Sequence, residues 1–150
     1  GSDARLSCSS SGWAWLSTMT DDDGLALVAK QGIGQPADFG PAAPTTLQAV
    51  LAAVHATRAR GYSMTTDTYS LGLSAMSAPV RFAGQPAIGV LTIAGPTVRF
   101  TAERMAALAP ELLSTAQQLA AASGASPFFT LTAETGGANA ATGRKPIYAV

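Results

Sequence analysis

Apolar residues recur at helical spacing over the first part of the chain. The pattern predicts a short helix over residues 9–19 and a second short helix over residues 25–30. Thr20 and Asp23 have the spacing of a capping box, in which a side-chain oxygen accepts a hydrogen bond from an amide of the first helical turn. Residues 32–44 are rich in Gly and Pro, so they are predicted to form a loop.

Two longer helices are predicted further along the chain. Thr45 and Gln48 form another capping box before a helix that ends at Gly61. The predicted buried face of this helix consists of Leu47, Val50, Leu51 and Val54. Thr101 is predicted to cap the longest helix, which runs to about residue 123. The apolar stripe of that helix consists of Met105, Leu108, Leu112 and Leu119.

Between these helices the pattern changes to short β-type runs, over residues 62–66, 73–82 and 87–94. The last two runs are separated by four residues that include Gly84, which is typical of a hairpin. Pro79 has no amide hydrogen to donate, so its strand is predicted to have a free edge or a bulge there. This order predicts an α+β domain with an antiparallel sheet and with helices on one face of it.

The chain is predicted to be a single domain over residues 1–150, because it shows no repeats and no domain boundary. From Gly124 onward it is rich in Gly, Ala, Ser and Thr. Residues 128–132 and 147–150 are candidate strands within this tail. The segment between them has the composition of a flexible linker.

Composition narrows the classes of function. Of 150 residues, 12% are charged, against roughly 25% in an average domain, and nine Lys and Arg balance nine Asp and Glu. A neutral chain without a basic cluster is poorly suited to nucleic acid, since phosphate contacts need concentrated positive charge. Its longest apolar stretch falls short of the ~20 residues that span a bilayer. Direct nucleic-acid binding and membrane spanning by this chain are therefore disfavoured.

The single histidine and the acidic run give little support to catalysis or metal binding. His55 lies on the predicted third helix beside apolar positions, which favours an ordinary boundary residue over a catalytic base. Asp21, Asp22 and Asp23 stand at a predicted helix start, where carboxylates complement the helix dipole. A calcium loop would need alternating ligands, a Gly and a distal Glu, which this run lacks. No metal site is predicted.

The single cysteine excludes an internal disulfide and a zinc site built on cysteines. Cys8 precedes the serine run 9–11 and is interpreted as a small buried thiol, because no base is near in sequence. A hydrolase that uses Cys8 or one of these serines stays open as an alternative. No Gly-rich phosphate loop opens a helix, so no cofactor is predicted.

Four segments of the chain share their order and spacing with one known family. They are LSCSSSGWAWL (6–16), RGYSMTTDTYSLGLSAMSAPV (60–80), VLTIAGP (90–96) and FTAERMAALAP (100–110). The second of them holds an Arg-Gly-Tyr, an acidic residue, a Gly and a strand that ends in Ala-Pro-Val. Together, over residues 6–123, they resemble the effector-binding domain of IclR-type transcriptional regulators.

The resemblance implies a GAF-like or profilin-like fold and a sensor of a small organic or aromatic acid, not an enzyme. Members normally carry this domain after a winged helix-turn-helix domain, which contacts DNA, and they assemble as dimers or tetramers. The first strands of the usual domain are expected before Leu6, and no DNA-binding domain is expected within residues 1–150. A bacterial regulator is therefore predicted, and a reducing, cytoplasmic setting is the default for a chain with a single cysteine. A stand-alone GAF-like ligand-binding protein is the alternative.

The resemblance also implies ligand-binding positions, carried over by their place in the motifs: Ser9, Ser10, Ser11, Asp67, Ala75, Thr92 and Ala94. Departures from the family pattern make this set less polar. The family's Asp-x-Glu is Thr-Thr-Asp here (65–67), Ala75 replaces a cysteine, and Ala94 replaces a serine. The His and Lys of the first motif are Ser7 and Trp13, which removes the possibility of a metal site. A ligand more apolar or bulkier than a two- or three-carbon acid is therefore expected.

Overall fold

The computed structural model describes residues 5–124, and the predicted strands at 128–132 and 147–150 lie outside this range. Helices, strands and a last helix follow one another as predicted. In chain order the elements are α1 (Ser10–Leu16), α2 (Asp21–Gln31), a short 3-10 helix (Pro36–Asp38), α3 (Leu47–Arg60), β1 (Ser63–Thr66), β2 (Leu73–Val80), β3 (Gly89–Pro96) and α4 (Ala102–Ser123). The predicted α+β class is confirmed.

Threonine side chains begin three of the helices. Thr20 and Thr101 cap α2 and α4 as predicted, each accepting a hydrogen bond from the amide three residues on. The predicted pair of Thr45 and Gln48 at the start of α3 is wrong. Thr46 is the cap, because its backbone is extended (φ −135°, ψ 152°) and its hydroxyl lies within reach of the amide of Ala49.

α3 ends at Gly61, as predicted. Gly61 has φ +86°, a left-handed conformation that glycine adopts without steric cost, and its amide donates to the carbonyl of Thr57. The turn reverses the chain, so β1 begins two residues later at Ser63.

The three strands form one antiparallel sheet in the order β1-β2-β3, which confirms the predicted hairpin. The amide of Asp67 donates to the carbonyl of Leu73, so the odd-numbered residues of β2 direct their backbone groups toward β1. Pro79 is one of these, but β1 begins at Ser63, which is opposite Ser77. The free edge predicted at Pro79 is therefore confirmed, even though β2 is the central strand. Within the described sheet, β3 is an edge strand that bonds to β2 alone.

The larger core lies between the sheet and α4. It consists of Met76, Ala78, Val80, Phe100, Met105, Ala109, Leu112, Ala116 and Ala120. The predicted stripe on α4 is correct at Met105 and Leu112 and wrong at Leu119, which is 45% exposed. The buried face instead follows the alanines, whose small side chains let the helix approach the sheet closely.

The opposite face of the sheet is also covered, so the prediction of helices on one face is wrong. α1 contacts all three strands and packs against α3. The second core lies among α1, α2 and α3 and consists of Trp13, Leu16, Val28, Val50 and Val54. Of the predicted α3 face, Leu47 is exposed. Helices are needed on both faces because β2 is buried along most of its length on each of them.

Candidate functional site

Small and hydroxyl-bearing side chains form two rows across the sheet, on the face that α1 covers. The strand register gives these rows as Ser63–Ser77–Thr92 and Thr65–Ala75–Ala94. Cross-strand neighbours on one face of a sheet lie within side-chain contact of each other. The structure therefore brings together three of the positions carried over from the family: Ala75, Thr92 and Ala94.

Three hydroxyl groups connect the first helix to this face. The Oγ atoms of Ser10 and Ser77 are 2.8 Å apart, and Ser77 Oγ lies 2.8 Å from Thr92 Oγ1. Ser10 and Ser77 are buried, whereas Thr92 is exposed. This hydroxyl network, defined as Ser10, Ser77 and Thr92, thus runs from the protein interior to an open surface.

Two further hydroxyls fix the start of α1 over the sheet. Ser63 Oγ donates to the carbonyl of Ser10 at 2.7 Å, and Thr68 Oγ1 donates to the carbonyl of Cys8 at 2.7 Å. All four residues are buried, so these bonds form where water does not compete for the donors. The position of Ser10 above Ser77 therefore follows from the sheet, not from α1 alone.

The neighbouring serines have different local roles. Ser9 is the N-cap of α1, and its hydroxyl accepts from the amide of Gly12 at 3.0 Å. Ser11 is half-buried, and its Oγ lies 3.3 Å from that of Ser9. Of the three predicted serines, Ser10 is the one whose side chain bonds to the sheet.

α1 contacts all three strands, but it leaves most side chains of β3 on this face open to solvent. Thr92 and Ala94 are exposed, as is Pro96, while Val90 is half-buried. We call these four residues the open face of β3. It offers one hydroxyl on an otherwise apolar strip, at the end of the hydroxyl network.

Asp67 lies at the turn between β1 and β2, where its carboxylate accepts a hydrogen bond from a backbone amide of the turn. Asp67 has φ +55°, and its Oδ1 accepts from the amide of Gly72 at 2.7 Å and from Thr97 Oγ1 at 3.4 Å. Its carbonyl accepts from the amide of Ala42 at 2.9 Å. The turn is thereby closed, and a ligand-binding role for Asp67 stays a prediction.

Two buried serines of this surface were not predicted from sequence. Ser63 and Ser77 are both fully buried beneath α1, and Ser77 links two of the predicted positions. The alternation of a strand could have indicated Ser77, because it stands two residues after Ala75 and thus on the same face. Its bond to Ser10 depends on the tertiary packing of α1, which leaves no local pattern.

The residues considered for catalysis are engaged elsewhere. Cys8 is fully buried, as predicted, and burial raises the pKa of its thiol, which disfavours the nucleophilic thiolate. The hydroxyl of Ser10 bonds to Ser77, and Nε2 of His55 lies 2.7 Å from the carboxylate of Asp21. These contacts are those of structural residues.

The acidic run behaves as its position predicts, since Asp21, Asp22 and Asp23 form the first turn of α2. Within residues 5–124, no group of three or more His, Cys, Asp or Glu side chains is arranged to hold a metal ion. No helix in the described part of the chain has the length and apolar character needed to cross a membrane.

Sequence comparison gives a family match. Residues 1–121 match the family model described as bacterial transcriptional regulator IclR C-terminal. Among curated proteins, none matches this chain.

Solved structures of regulators share this fold. A transcriptional regulator from Rhodococcus sp. RHA1 is 27% identical, with a TM-score of 0.68 over 77% of this chain and 46% of its own. The inducer-binding domain of PobR from Acinetobacter, a double mutant in complex with 3-hydroxybenzoic acid, is 24% identical with a TM-score of 0.68, over 77% and 65%. An IclR homologue from Microbacterium hydrocarbonoxydans, in complex with 4-hydroxybenzoate, is 18% identical with a TM-score of 0.63, over 78% and 46%.

The chain thus spans slightly less than half the length of the Rhodococcus regulator that it matches. The TM-scores of 0.63–0.68 show that the chain shares its fold with these regulators. The match over residues 1–121 shows that the chain belongs to the IclR C-terminal family of bacterial transcriptional regulators.

Proposed function

We propose that residues 6–123 are the effector-binding domain of a cytoplasmic transcription regulator, and that they bind a small organic acid, preferably an aromatic one. The observation that carries this proposal is the hydroxyl network, which reaches the open face of β3 at Thr92. Isolated polar groups on an apolar surface are the means by which small-molecule sites orient a ligand.

In the proposed complex the carboxylate accepts a hydrogen bond from the hydroxyl of Thr92. The aromatic ring lies on the exposed methyl group of Ala94, beside the buried Ala75, at two positions where the family pattern has a serine and a cysteine. Apolar contact of this kind favours a ring over a two-carbon acid, because the gain scales with the apolar area removed from water. Complexes of two relatives, with 3-hydroxybenzoic acid and 4-hydroxybenzoate, support the choice of ligand class.

The remaining predicted positions border this surface. Ser9 is the N-cap of α1, Ser11 lies on its first turn, and Asp67 directly follows β1. We propose that they contact the part of the ligand that faces away from Thr92. Since Ser9 and Asp67 already cap a helix and close a turn, their substitution would combine loss of ligand contact with loss of stability.

The proposed domain acts through a longer protein. Family membership supports self-association and DNA contact through a separate winged helix-turn-helix domain. An effector switches such an assembly only if it binds two of its arrangements with different affinity. The zero net charge of this chain is consistent with DNA contact by another domain.

Calorimetric titration tests the proposal. Benzoate, 3-hydroxybenzoate and 4-hydroxybenzoate are expected to bind at least about tenfold more tightly than glyoxylate or pyruvate. Thr92→Val, which keeps shape but removes the hydroxyl, is expected to weaken benzoate binding about tenfold, the equivalent of one hydrogen bond to a charged group. Thr115→Val, on α4 at the other side of the sheet, is the matched control. Tight binding of glyoxylate or pyruvate alone, or unchanged binding by Thr92→Val, would contradict the proposal.

A further inference from the structure

We infer that Ser77 is a positioning residue that holds the Thr92 hydroxyl as a hydrogen-bond donor and so selects for a negatively charged ligand group. Ser77 lies within the second segment shared with the family, but it is not among the ligand-binding positions that the resemblance implies. The selection of ligand rests on the proposed function, whereas the positioning of Thr92 rests on the buried geometry alone.

The number of protons in the hydroxyl network limits the hydrogen bonds that its members can donate. Each hydroxyl has one proton to donate and two lone pairs to accept. Ser10, Ser77 and Thr92 share two hydrogen bonds, so two of their three protons are used and one is left. Where the third proton lies decides what the network offers to a ligand.

Burial decides the place of that proton. Ser77 is fully buried and Ser10 is 4% exposed, whereas Thr92 is exposed to solvent. A proton left over on Ser10 or Ser77 would be a buried donor that gives up water, which is costly. The favoured arrangement runs from Ser10 to Ser77 to Thr92 and leaves the free proton on Thr92.

This direction gives Thr92 a defined chemistry. Its Oγ1 already accepts from Ser77, so its proton points to the open face of β3. Consecutive hydrogen bonds polarise one another, which strengthens the last donor of the series. A polarised donor gains more from an anionic acceptor than from a neutral one, so the network favours a carboxylate over an amide of the same shape.

Ser74 provides a matched control on the same strand. It is also fully buried and its Oγ also has two hydroxyl partners, at 3.2 Å from Thr66 Oγ1 and 3.1 Å from Thr97 Oγ1. Its partners lie outside the hydroxyl network. Ser74→Ala therefore removes a comparable buried hydroxyl without changing the contacts of Thr92.

The first test needs no ligand. Three-bond couplings measured by NMR on the full chain report the χ1 angle of Thr92. Wild type and Ser74→Ala are expected to hold Thr92 in one rotamer, and Ser77→Ala is expected to show averaging over several. A single fixed rotamer in folded Ser77→Ala would overturn the inference.

The second test uses benzoate and benzamide, which have the same shape and differ in charge. In Ser77→Ala the preference for benzoate over benzamide is expected to fall about three- to tenfold, while Ser74→Ala keeps the wild-type ratio. In a Thr92→Val background, Ser77→Ala is expected to have no further effect on the ratio, because the donor that it positions is absent. A general loss of stability would lower both affinities and leave their ratio unchanged.

The outcomes separate the two proposals. If wild type binds benzoate and Ser77→Ala keeps the wild-type ratio, the inference fails and the proposed function stands. If wild type binds none of the acids, the proposed function fails, and the Thr92 rotamer still decides whether Ser77 positions it. Should Ser77→Ala fail to fold, Ser10→Ala interrupts the same network from α1. It is expected to lower the ratio by less, and an unchanged ratio counts against the inference.

Discussion

Gly40 occupies a position where a larger residue has no room. A Cβ atom there would overlap the carbonyl oxygen of Asp67, which is backbone and has little freedom to move. The amide of Gly40 donates to the carbonyl of Thr68 at 3.1 Å, so the loop before α3 lies directly on the turn between β1 and β2. The placement of Asp67 therefore depends on a residue far from it in sequence.

Gly40→Ala is expected to lower the free energy of unfolding by about 1–3 kcal/mol, the usual cost of forcing atoms into a packed site. Gly89→Ala is the control, since a Cβ at Gly89 would meet open space, and a change within about 0.5 kcal/mol is expected there. Urea denaturation of the two variants measures the difference. Equal effects in both would show that the loop does not pack tightly on the turn.

For single residues, the sequence predicts the face of the strand on which a side chain lies better than it predicts the hydrogen-bond partners of that side chain. Alternation along the strands places Ala75 and Ser77 on one face, and the family resemblance points to Ala75, Thr92 and Ala94. The link between Ser10 and Ser77 joins residues 67 positions apart in the chain, so no local pattern contains it. The same holds for Asp67, whose partner Thr97 is 30 positions away.

Among the elements, α4 is the main apolar support of the sheet. Leu112 is 1% exposed in the core, while Leu119, seven positions further along the same helix, is 45% exposed. Leu112→Ala is expected to destabilise the fold by about 2–5 kcal/mol, since it leaves a cavity, and Leu119→Ala by less than about 1 kcal/mol. Thermal and urea unfolding compare the pair. Similar losses would contradict the assignment of the buried face.

The ends of α4 follow from its sequence, whereas its buried face follows only in part, at Met105 and Leu112. Thr101 is a strong cap because its hydroxyl matches the free amide three residues on. Large apolar residues predict a stripe through Leu119, whereas the buried face is completed by Ala109, Ala116 and Ala120. Alanine is compatible with both a buried and an exposed helix position, so the periodicity of apolar residues does not identify which alanines are buried.

Arg58 joins α3 to the segment between α1 and α2. Its guanidinium donates to the carbonyls of Ser17 and Met19 at 3.2 and 3.0 Å and to the carboxylate of Asp21 at 3.0 Å. The hydrogen bond from His55, and then that from Arg58, lower the pKa of Asp21 below its ordinary value of 3.8. The ionised form of Asp21 is thus favoured in the folded state.

Because the pKa of Asp21 is lowered in the folded state, the stability that its contacts with Arg58 and His55 contribute depends on pH. Asp21 contributes its full stabilisation above the ordinary pKa of 3.8, and the contribution is lost as the pH falls through the lower folded pKa. Asp21→Asn is therefore expected to have a lower Tm than wild type near neutral pH, with the difference shrinking below about pH 4. Melting curves between pH 2 and 7 measure it, with Asp22→Asn as the control of equal charge. A difference that is constant over this range would contradict the role of Asp21.

For the whole molecule, the sequence predicts the class and order of elements but not the layers. The run from Leu73 to Val80 is apolar or small at nearly every position, and in the structure it is buried along most of its length. Which helix covers which face depends on the path of the chain between elements. α1 and α4 both contact the central strand β2, one on each face of the sheet, so β2 is buried on both sides.

The edge position of β3 has a consequence for the behaviour of the protein in solution. Its eight residues, Gly89–Pro96, carry no charge, and on its outer side no strand of the described residues pairs with it. Unpaired backbone on an uncharged edge is a template for strand addition, which charged side chains normally discourage. A preparation limited to residues 5–124 would therefore be prone to aggregate with rising concentration. One lysine on the solvent side of β3 would be the smallest change that makes such a fragment colloidally stable.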